Sequence, residues 1–262
     1  MNGGMARGGI SLLNFDGTLQ QQPLLREYPG EWIDFSDMRG CHGYCADDSL
    51  RQIRKRLNAR KHKRITLIGN GNFHYVTYVL LSEIRHPFSL ILFDHHTDMA
   101  PDDDVPLLSC GSWVGVALRT LPLLHRAVII GAPSPNRRLD DDLTDKVAFI
   151  SEDEVCRSSP AEVARAVRAA LSDRPDQPLY LSVDKDVLDR EHAATNWDQG
   201  SMTLPQLLDV IRELKRAHPL AGADVCGELP LSPVERLSGE RVRHLKKNEL
   251  ANKAIVDTLL AG

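Results

Sequence analysis

Short apolar runs recur along the chain, and each is followed by a polar loop and then by a helical pattern. Runs of leucine and β-branched residues without polar alternation are typical of strands covered on both faces, as in parallel sheets. Strands that alternate with helices of this length predict a parallel sheet with right-handed crossovers. The predicted elements are strands at 64–69, 88–93, 127–131, 147–150, 179–183 and 221–225 and a helix over 74–84.

Two helix starts are marked by their polar residues. Ser159 precedes Pro160 and lies three residues before Glu162, which is the spacing of a capping box with proline in the first turn. Thr203 and Gln206 repeat this spacing ahead of a second apolar helical pattern. The sequence therefore predicts an α/β protein, a three-layer α-β-α sandwich around a mainly parallel sheet.

Composition narrows the classes of function. The chain has 262 residues, 42% of them hydrophobic, which is enough to bury a core, and its formal net charge of −4 gives no basic surface for nucleic acid. No apolar run approaches the roughly 18 residues of a membrane-spanning helix, so no membrane association is expected. We expect residues 1–10 to form a flexible N-terminus and residues 11–262 to form a single domain.

Five cysteines are scattered along the chain, and the first residues lack the apolar core of a secretory signal. An odd number of cysteines without such a signal predicts reduced thiols and a cytoplasmic location. Cys41 and Cys45 with His42 indicate a zinc site only weakly, because no second pair of ligands follows. We instead expect Tyr44 and Cys45 to pack near the functional site.

Aspartate and histidine residues follow three of the predicted strands. The sequence Asp-His-His-Thr-Asp occupies 94–98 after one strand, and Asp184, Asp186 and Asp189 follow another. His74 closes the loop after a third strand. Because functional residues of parallel sheets collect outside the carboxyl ends of the strands, we expect these side chains to meet at one edge of the sheet.

The spacing of these residues indicates a metal centre. Alternate side chains of an extended segment share a face, so Asp94, His96 and Asp98 can converge, as can Asp184 and Asp186. Four crowded carboxylates would resist ionisation, and two divalent cations would neutralise them. Imidazole and carboxylate ligands without a thiolate favour Mn²⁺, with Fe²⁺, Co²⁺ and Zn²⁺ as alternatives. Water bridging two such cations has a pKa lowered towards neutrality and serves as a nucleophile.

Each of these signals has a simpler interpretation when taken alone. The 94–98 motif by itself is also compatible with a capped turn or a surface cluster of ion pairs, and a lone His74 is more often a packed core histidine. The occurrence of all three groups after separate strands favours the two-cation centre over these alternatives.

The aspartate motifs resemble those of the ureohydrolase superfamily of arginase, agmatinase and formiminoglutamase. The family patterns D-A-H-x-D and S-x-D-x-D-x-x-D correspond to DHHTD at 94–98 and SVDKDVLD at 182–189, within a resemblance that spans roughly 64–230. His74 takes the place of the histidine that ends the family's Gly-Gly-Asp-His loop. The resemblance implies an arginase–deacetylase fold. It also implies one cation on His74, Asp94, Asp98 and Asp184 and another on Asp94, His96, Asp184 and Asp186.

The chain departs from the family pattern around the substrate. Cys110 replaces a histidine used for proton shuttling or substrate contact. A thiol beside two cations and a helix N-terminus would have a lowered pKa and a catalytic role, whereas the alternative is a small buried thiol. The family's guanidinium-binding glutamate corresponds to Gly227, followed by Glu228. Either Glu228 reaches the site through a bulge as a catalytic residue, or the substrate is held differently.

The loop after the second aspartate motif also differs from the family's proline- and glycine-rich loop. It contains Asn196, Trp197 and Asp198, which we expect to bind substrate, although Trp197 is also compatible with simple packing over the sheet edge. The run 102–104 of three aspartates is expected to form a solvated loop tip that could attract a cationic substrate.

The function that this resemblance implies is hydrolysis of a C–N bond in a guanidino or amidino small molecule at two metal ions, Mn²⁺ being favoured. Asp98 would orient the attacking water, and the cations would stabilise the tetrahedral intermediate. One alternative is a single-zinc amide deacylase of the same fold, and another is a metal-binding homologue without activity. A homo-oligomer is left open.

Overall fold

Eight strands form one sheet, in which each hydrogen-bonded pair within the described residues runs parallel. The computed structural model describes residues 9–100, 108–134, 140–232, 234–235 and 238–261. The spatial order is β2-β1-β3-β8-β7-β4-β5-β6. The strands are β1 (Ile10–Asn14), β2 (Gly30–Asp34), β3 (Ile65–Asn70), β4 (Phe88–Phe93), β5 (Leu124–Ile130), β6 (Val147–Ile150), β7 (Leu179–Asp184) and β8 (Leu220–Glu228).

Helices cover both faces of this sheet. One apolar core lies between the sheet and α4 to α7, and the other lies between the sheet and α1 to α3. Alternate strand residues enter alternate cores: Leu181 packs in the first and Tyr180 in the second. The predicted three-layer sandwich is therefore confirmed. The helices are α1 (Asp47–Asn58), α2 (Val76–Leu81), α3 (Trp113–Thr120), α4 (Glu152–Arg157), α5 (Pro160–Ala170), α6 (Leu204–Ala217) and α7 (Gly239–Leu260).

The local signals read from the sequence have the expected structures. Ser159 and Glu162 form a reciprocal capping box at the start of α5, and Thr203 accepts a hydrogen bond from the Gln206 backbone N–H at the start of α6. The helix predicted over 74–84 is shorter, because a 3-10 turn at Gly71–Phe73 precedes α2. No helix in the described ranges is long and apolar enough to cross a membrane.

Two of the segments discussed in the sequence analysis lie wholly or partly outside the described residues. Residues 1–8 of the expected flexible N-terminus lie outside the described residues, and Ile10 already begins β1. The aspartate run at 102–104 also lies outside them. All five cysteines are free.

Candidate metal centre

The predicted ligands meet at the carboxyl ends of three nearby strands. The order β3-β8-β7-β4 places the end of β3 near the ends of β7 and β4, with only β8 between β3 and β7. His74 follows β3 through the 3-10 turn, the 94–98 segment follows β4, and Asp184 and Asp186 end β7 and begin the next turn. These residues line a cavity of about 540 Å³. The structure therefore brings together the residues that the sequence analysis selected from separate segments.

A first group of ligand atoms surrounds His74. Its Nδ1 lies 3.3 Å from Asp94 Oδ2, 3.1 Å from Asp98 Oδ2 and 3.5 Å from Asp184 Oδ2. All four residues are buried. The ligand atoms of His74, Asp94 and Asp98 lie close enough to hold one divalent cation, and Asp184 joins His74 in an adjoining set.

A second group lies on the other side of Asp94. His96 Nδ1 is 2.9 Å from Asp186 Oδ2 and 3.5 Å from Asp94 Oδ1. Asp94 thus turns Oδ2 towards His74 and Oδ1 towards His96, which is how a carboxylate bridges two cations. Asp186 is held in place because its Oδ1 accepts a hydrogen bond of 3.0 Å from the His95 backbone N–H.

Burial and mutual repulsion make the carboxyl groups of the site harder to ionise. Burial, followed by repulsion from Asp98, raises the pKa of Asp94, and burial with repulsion from Asp186 raises that of Asp184. Burial also raises the pKa of Asp98. The pKa of Asp186 is raised to about 6 by burial and by the Asp94 charge. Divalent cations would remove this repulsion, so the donor set fits such ions electrostatically as well as chemically.

We expect cation affinity to fall by at least about tenfold per pH unit below about pH 6, because Asp186 must release its proton to act as a ligand. His96 must release a proton as well, because its hydrogen bond to Asp186 raises its pKa to about 12 without cations. Without cations, the pKa of Asp186 is higher in the folded chain than in the unfolded chain. The protonated carboxyl therefore stabilises the fold at pH values below the pKa of the unfolded chain, and this stabilisation is lost as pH rises through about 6. Added cations should therefore raise the unfolding midpoint most above that pH. Calorimetric Mn²⁺ titrations at about pH 5 and about pH 7 test this, and equal affinities would contradict it.

Hydrogen bonds behind the first group fix the tautomer of His74. Its Nε2 lies 2.9 Å from Ser182 Oγ, and that hydroxyl donates to Asp224 Oδ1 at 2.7 Å. Tyr180 donates to the other Asp224 oxygen at 2.9 Å. Because the serine proton is committed to Asp224, His74 must donate from Nε2, so Nδ1, on the side of the carboxylates, is the nitrogen that would bind a cation.

Asp98 is held by an unusual backbone and by one indole. Its φ of 49° is the only positive value outside glycine in the described part of the chain. Trp113 Nε1 donates to Asp98 Oδ2 at 2.5 Å, and the Val114 backbone N–H donates to the Asp98 carbonyl at 3.0 Å. A left-handed non-glycine residue persists only where its surroundings enforce it, and such residues cluster at functional sites.

The loop after the second aspartate motif reaches the cavity through two of its three predicted residues. Trp197 and Asp198 line the cavity, whereas Asn196 is not among the described lining residues and contacts Asn72. Trp197 Nε1 donates to Asn72 Oδ1 at 3.0 Å. Asp198 Oδ1 lies 3.1 Å from His96 Nε2, so its carboxylate orients that imidazole.

Cys110 lies at the cavity, in the turn before α3. Its backbone N–H donates to the Gly43 carbonyl at 2.8 Å, which joins it to the loop that carries Tyr44 and Cys45. Burial and the Asp98 charge raise the pKa of Cys110 to about 11. The lowered pKa expected from the sequence would therefore have to come from the cations themselves. Cys41 and Cys45 belong to none of the possible metal-binding groups among the described residues.

Glu228 is placed away from the cavity, contrary to the expectation that it reaches the site. Pairing of β3 with β8 does shift register near Gly69, but the carboxylate of Glu228 turns towards the buried Lys185. It also accepts hydrogen bonds from Asn252 at 2.6 Å and Gln22 at 2.7 Å. Fully engaged by these partners, Glu228 does not contribute to the described lining of the cavity.

Several residues that support the centre were not predicted from the sequence: Trp113, Ser182, Asp224 and Cys226. Ser182 had a signal, since it precedes Asp184 by two residues and therefore shares its face of β7. Asp224 and Cys226 share a face of β8 in the same way. Trp113 had no such signal, because its contact with Asp98 joins residues that are 15 positions apart in the chain.

Comparison with known proteins shows which family the chain belongs to. A model of the arginase family matches residues 11–236. The chain belongs to the arginase family. It is 30% identical over 219 residues to an uncharacterized protein from Thermotoga maritima, across 84% of this chain and 79% of that protein. It is 26% identical over 254 residues to an agmatinase from Chromobacterium violaceum, across 90% and 76% of the two chains.

Solved structures of other proteins have a fold similar to that of this arginase-family chain. The proclavaminate amidino hydrolase from Streptomyces clavuligerus superposes with a TM-score of 0.68, covering 97% of this chain and 92% of that one, at 15% identity. The arginase family depends on two metal ions, and membership of it implies hydrolysis of C–N bonds. Two of the three possible metal-binding groups among the described residues share Asp94. The predicted resemblance to ureohydrolases is thus confirmed.

Proposed function

We propose that the protein hydrolyses a C–N bond in a guanidino or amidino small molecule at two divalent cations. The main support for this proposal is the position of Asp94. Its two carboxylate oxygens face separate groups of ligand atoms in one cavity. Family membership supports it, as do the names of the agmatinase relative and the amidino hydrolase of similar fold. Its cytoplasmic location and oligomeric state remain predictions.

Two cations bound here would lower the pKa of water and stabilise negative charge that develops on the substrate. The chain's own residues then determine how water and substrate are oriented. Asp98, fixed by Trp113, presents its carboxylate beside His74 and is proposed to accept a hydrogen bond from the attacking water. The carboxylate of Asp198 holds His96 in its orientation towards Asp186.

The substrate must be held differently from the pattern of the family. A side chain at 227 is excluded, because a Cβ on Gly227 would collide with Asp184 Oδ1 and lie 2.7 Å from the Lys185 backbone nitrogen. Trp197 is the large aromatic residue of the cavity, and its side chain is exposed while Asn72 fixes its indole N–H. We propose that the indole face packs on the planar cationic group of the substrate.

The proposal is tested by measuring product from a panel of guanidino and amidino compounds, with urea, ammonia and formamide assayed separately. We expect turnover with two cations per chain and none after chelation. Release of carboxylate from simple amides at one zinc per chain would favour the deacylase alternative. Loaded protein that turns over no compound of either panel would favour a homologue without activity.

Replacing Cys110 by alanine is expected to lower kcat by about 100-fold, as is typical for loss of an acid–base group, while cation content stays the same. The reason is the position of its thiol at the cavity, in the turn before α3. Cys110→Ser, which keeps the size but not the acidity, should lose most of the activity as well. The exposed Cys156, changed to alanine, is the control. Full activity of both Cys110 variants would assign Cys110 to packing alone.

A further inference from the structure

Cys226 places a sulfur atom against the first ligand group. Its Sγ lies 3.1 Å from Asp184 Oδ2, and the residue is 1% exposed. His74, Asp184 and Cys226 each offer a ligand atom, and these atoms all lie within 4.8 Å of one another. A sulfur, a nitrogen and an oxygen thus lie close enough to hold one cation, and His74 also belongs to the group that contains Asp94 and Asp98.

The backbone explains why the sulfur comes so close. Cys226 pairs with Asp184 in the parallel register of β7 and β8, so the two residues lie side by side at the carboxyl edge. Gly227 follows with a φ of 88° and no side chain, which lets β8 press against Asp184. Gly227 has no side chain that would collide with Asp184, and this is also what allows Cys226 to lie close to that carboxylate.

We propose that Cys226 is a thiolate ligand of the cation in the first group, so that this position prefers Zn²⁺, Co²⁺ or Fe²⁺ to Mn²⁺. The inference rests on the two-cation centre proposed above. Sulfur is a softer ligand than oxygen or nitrogen and selects against Mn²⁺. The preference for Mn²⁺ derived from the sequence assumed that no thiolate was present. On binding, the thiol proton passes to solvent and the Sγ lone pair forms the bond to the cation.

Cobalt absorption provides the direct test, because only a cobalt–thiolate bond gives an intense charge-transfer band in the near ultraviolet. Full-length protein stripped of metal is loaded with two equivalents of Co²⁺, and cobalt content is measured alongside the spectrum. We expect the band in the unmodified protein, in Cys110→Ser and in Cys156→Ser, and its absence in Cys226→Ser. Cys110→Ser is the matched control, since its thiol also lies at the centre.

Competition between Zn²⁺ and Mn²⁺ provides a second readout that does not depend on turnover. The ratio of bound zinc to manganese should fall by at least about tenfold in Cys226→Ser, the lower end of what loss of a supporting partner costs in affinity. Two bound cobalt ions without the band in unmodified protein would overturn the role of Cys226 and leave the two-cation centre standing. A folded protein that binds no cobalt would overturn both. Should Cys226→Ser not fold, the unmodified protein and Cys110→Ser still decide the question.

Discussion

Replacing Asp184 by asparagine is expected to remove both cations, or nearly both, and to lower turnover by more than about 100-fold. Loss of a residue that only hydrogen-bonds to a metal ligand costs at most about 100-fold. Asp184 Oδ2 lies 3.5 Å from His74 Nδ1, and its Oδ1 accepts the Asp186 backbone N–H at 3.0 Å. Asparagine keeps the size and one oxygen, but it removes the charge that the cations need. The loss should therefore appear in metal content before it appears in folding.

Asp189→Asn is the matched control for this variant. Asp189 belongs to the same motif, but its Oδ1 is bound by His192 at 2.7 Å and it belongs to none of the possible metal-binding groups of the described residues. Metal content measured by mass spectrometry and turnover should both stay near those of the unmodified protein. Two cations retained in a folded Asp184→Asn protein would contradict the shared role of this carboxylate.

Six of the eight strands were predicted from the sequence, including β6 at one edge of the sheet, whereas β1 and β2 were missed. β3, β4 and β7 are buried at every position, so they appear as continuous apolar runs. β2 lies at the sheet edge and alternates between exposed and half-buried positions, which weakens its pattern. The 22-residue α7 buries Asn248, Glu249 and Asn252 among its apolar residues, so its hydrophobic period does not stand out.

Some site residues could be predicted from spacing within one segment, whereas others depend on how separate strands pack together. The ligands within 94–98 and within the second motif follow from alternation along one strand, and the parallel sheet brings their ends together. Cys226 and Glu228 depend instead on how β8 lies against its neighbours. Shifts of register near Gly69 and the left-handed Gly227 change which β8 side chains face the centre. A displacement of one residue moves a side chain to the other face, and sequence spacing does not record it.

Lys185 and Glu228 form a pair that we expect to be worth more to the fold than any other single contact of the centre. The lysine side chain is 0% exposed and that of the glutamate 2% exposed. Asn248 and Asn252 of α7 and Gln22 all donate to the same carboxylate. The pair thus joins the turn between two predicted ligands to the C-terminal helix.

Changing Lys185 to methionine should lower the free energy of unfolding by about 3–5 kcal/mol, because Glu228 would be left buried without its counter-charge. The double variant Lys185→Met with Glu228→Gln should recover part of this loss, because no buried charge remains. The amide oxygen still accepts from Asn252, whereas the amide nitrogen replaces the oxygen that accepts from Gln22 and Asn248. Urea unfolding of cation-loaded protein measures both effects. A loss under about 1 kcal/mol in the single variant would mean that the pair is not formed as described.

The same double variant distinguishes a structural Glu228 from a catalytic one. If Glu228 only neutralises Lys185, a folded double variant with full cation content should keep kcat within about threefold, because no group at the cavity has changed. If Glu228 contacts substrate, kcat/KM should fall by about 100-fold or more, as for a lost catalytic group. The structure favours the first result, since Lys185, two asparagines and Gln22 already occupy both carboxylate oxygens.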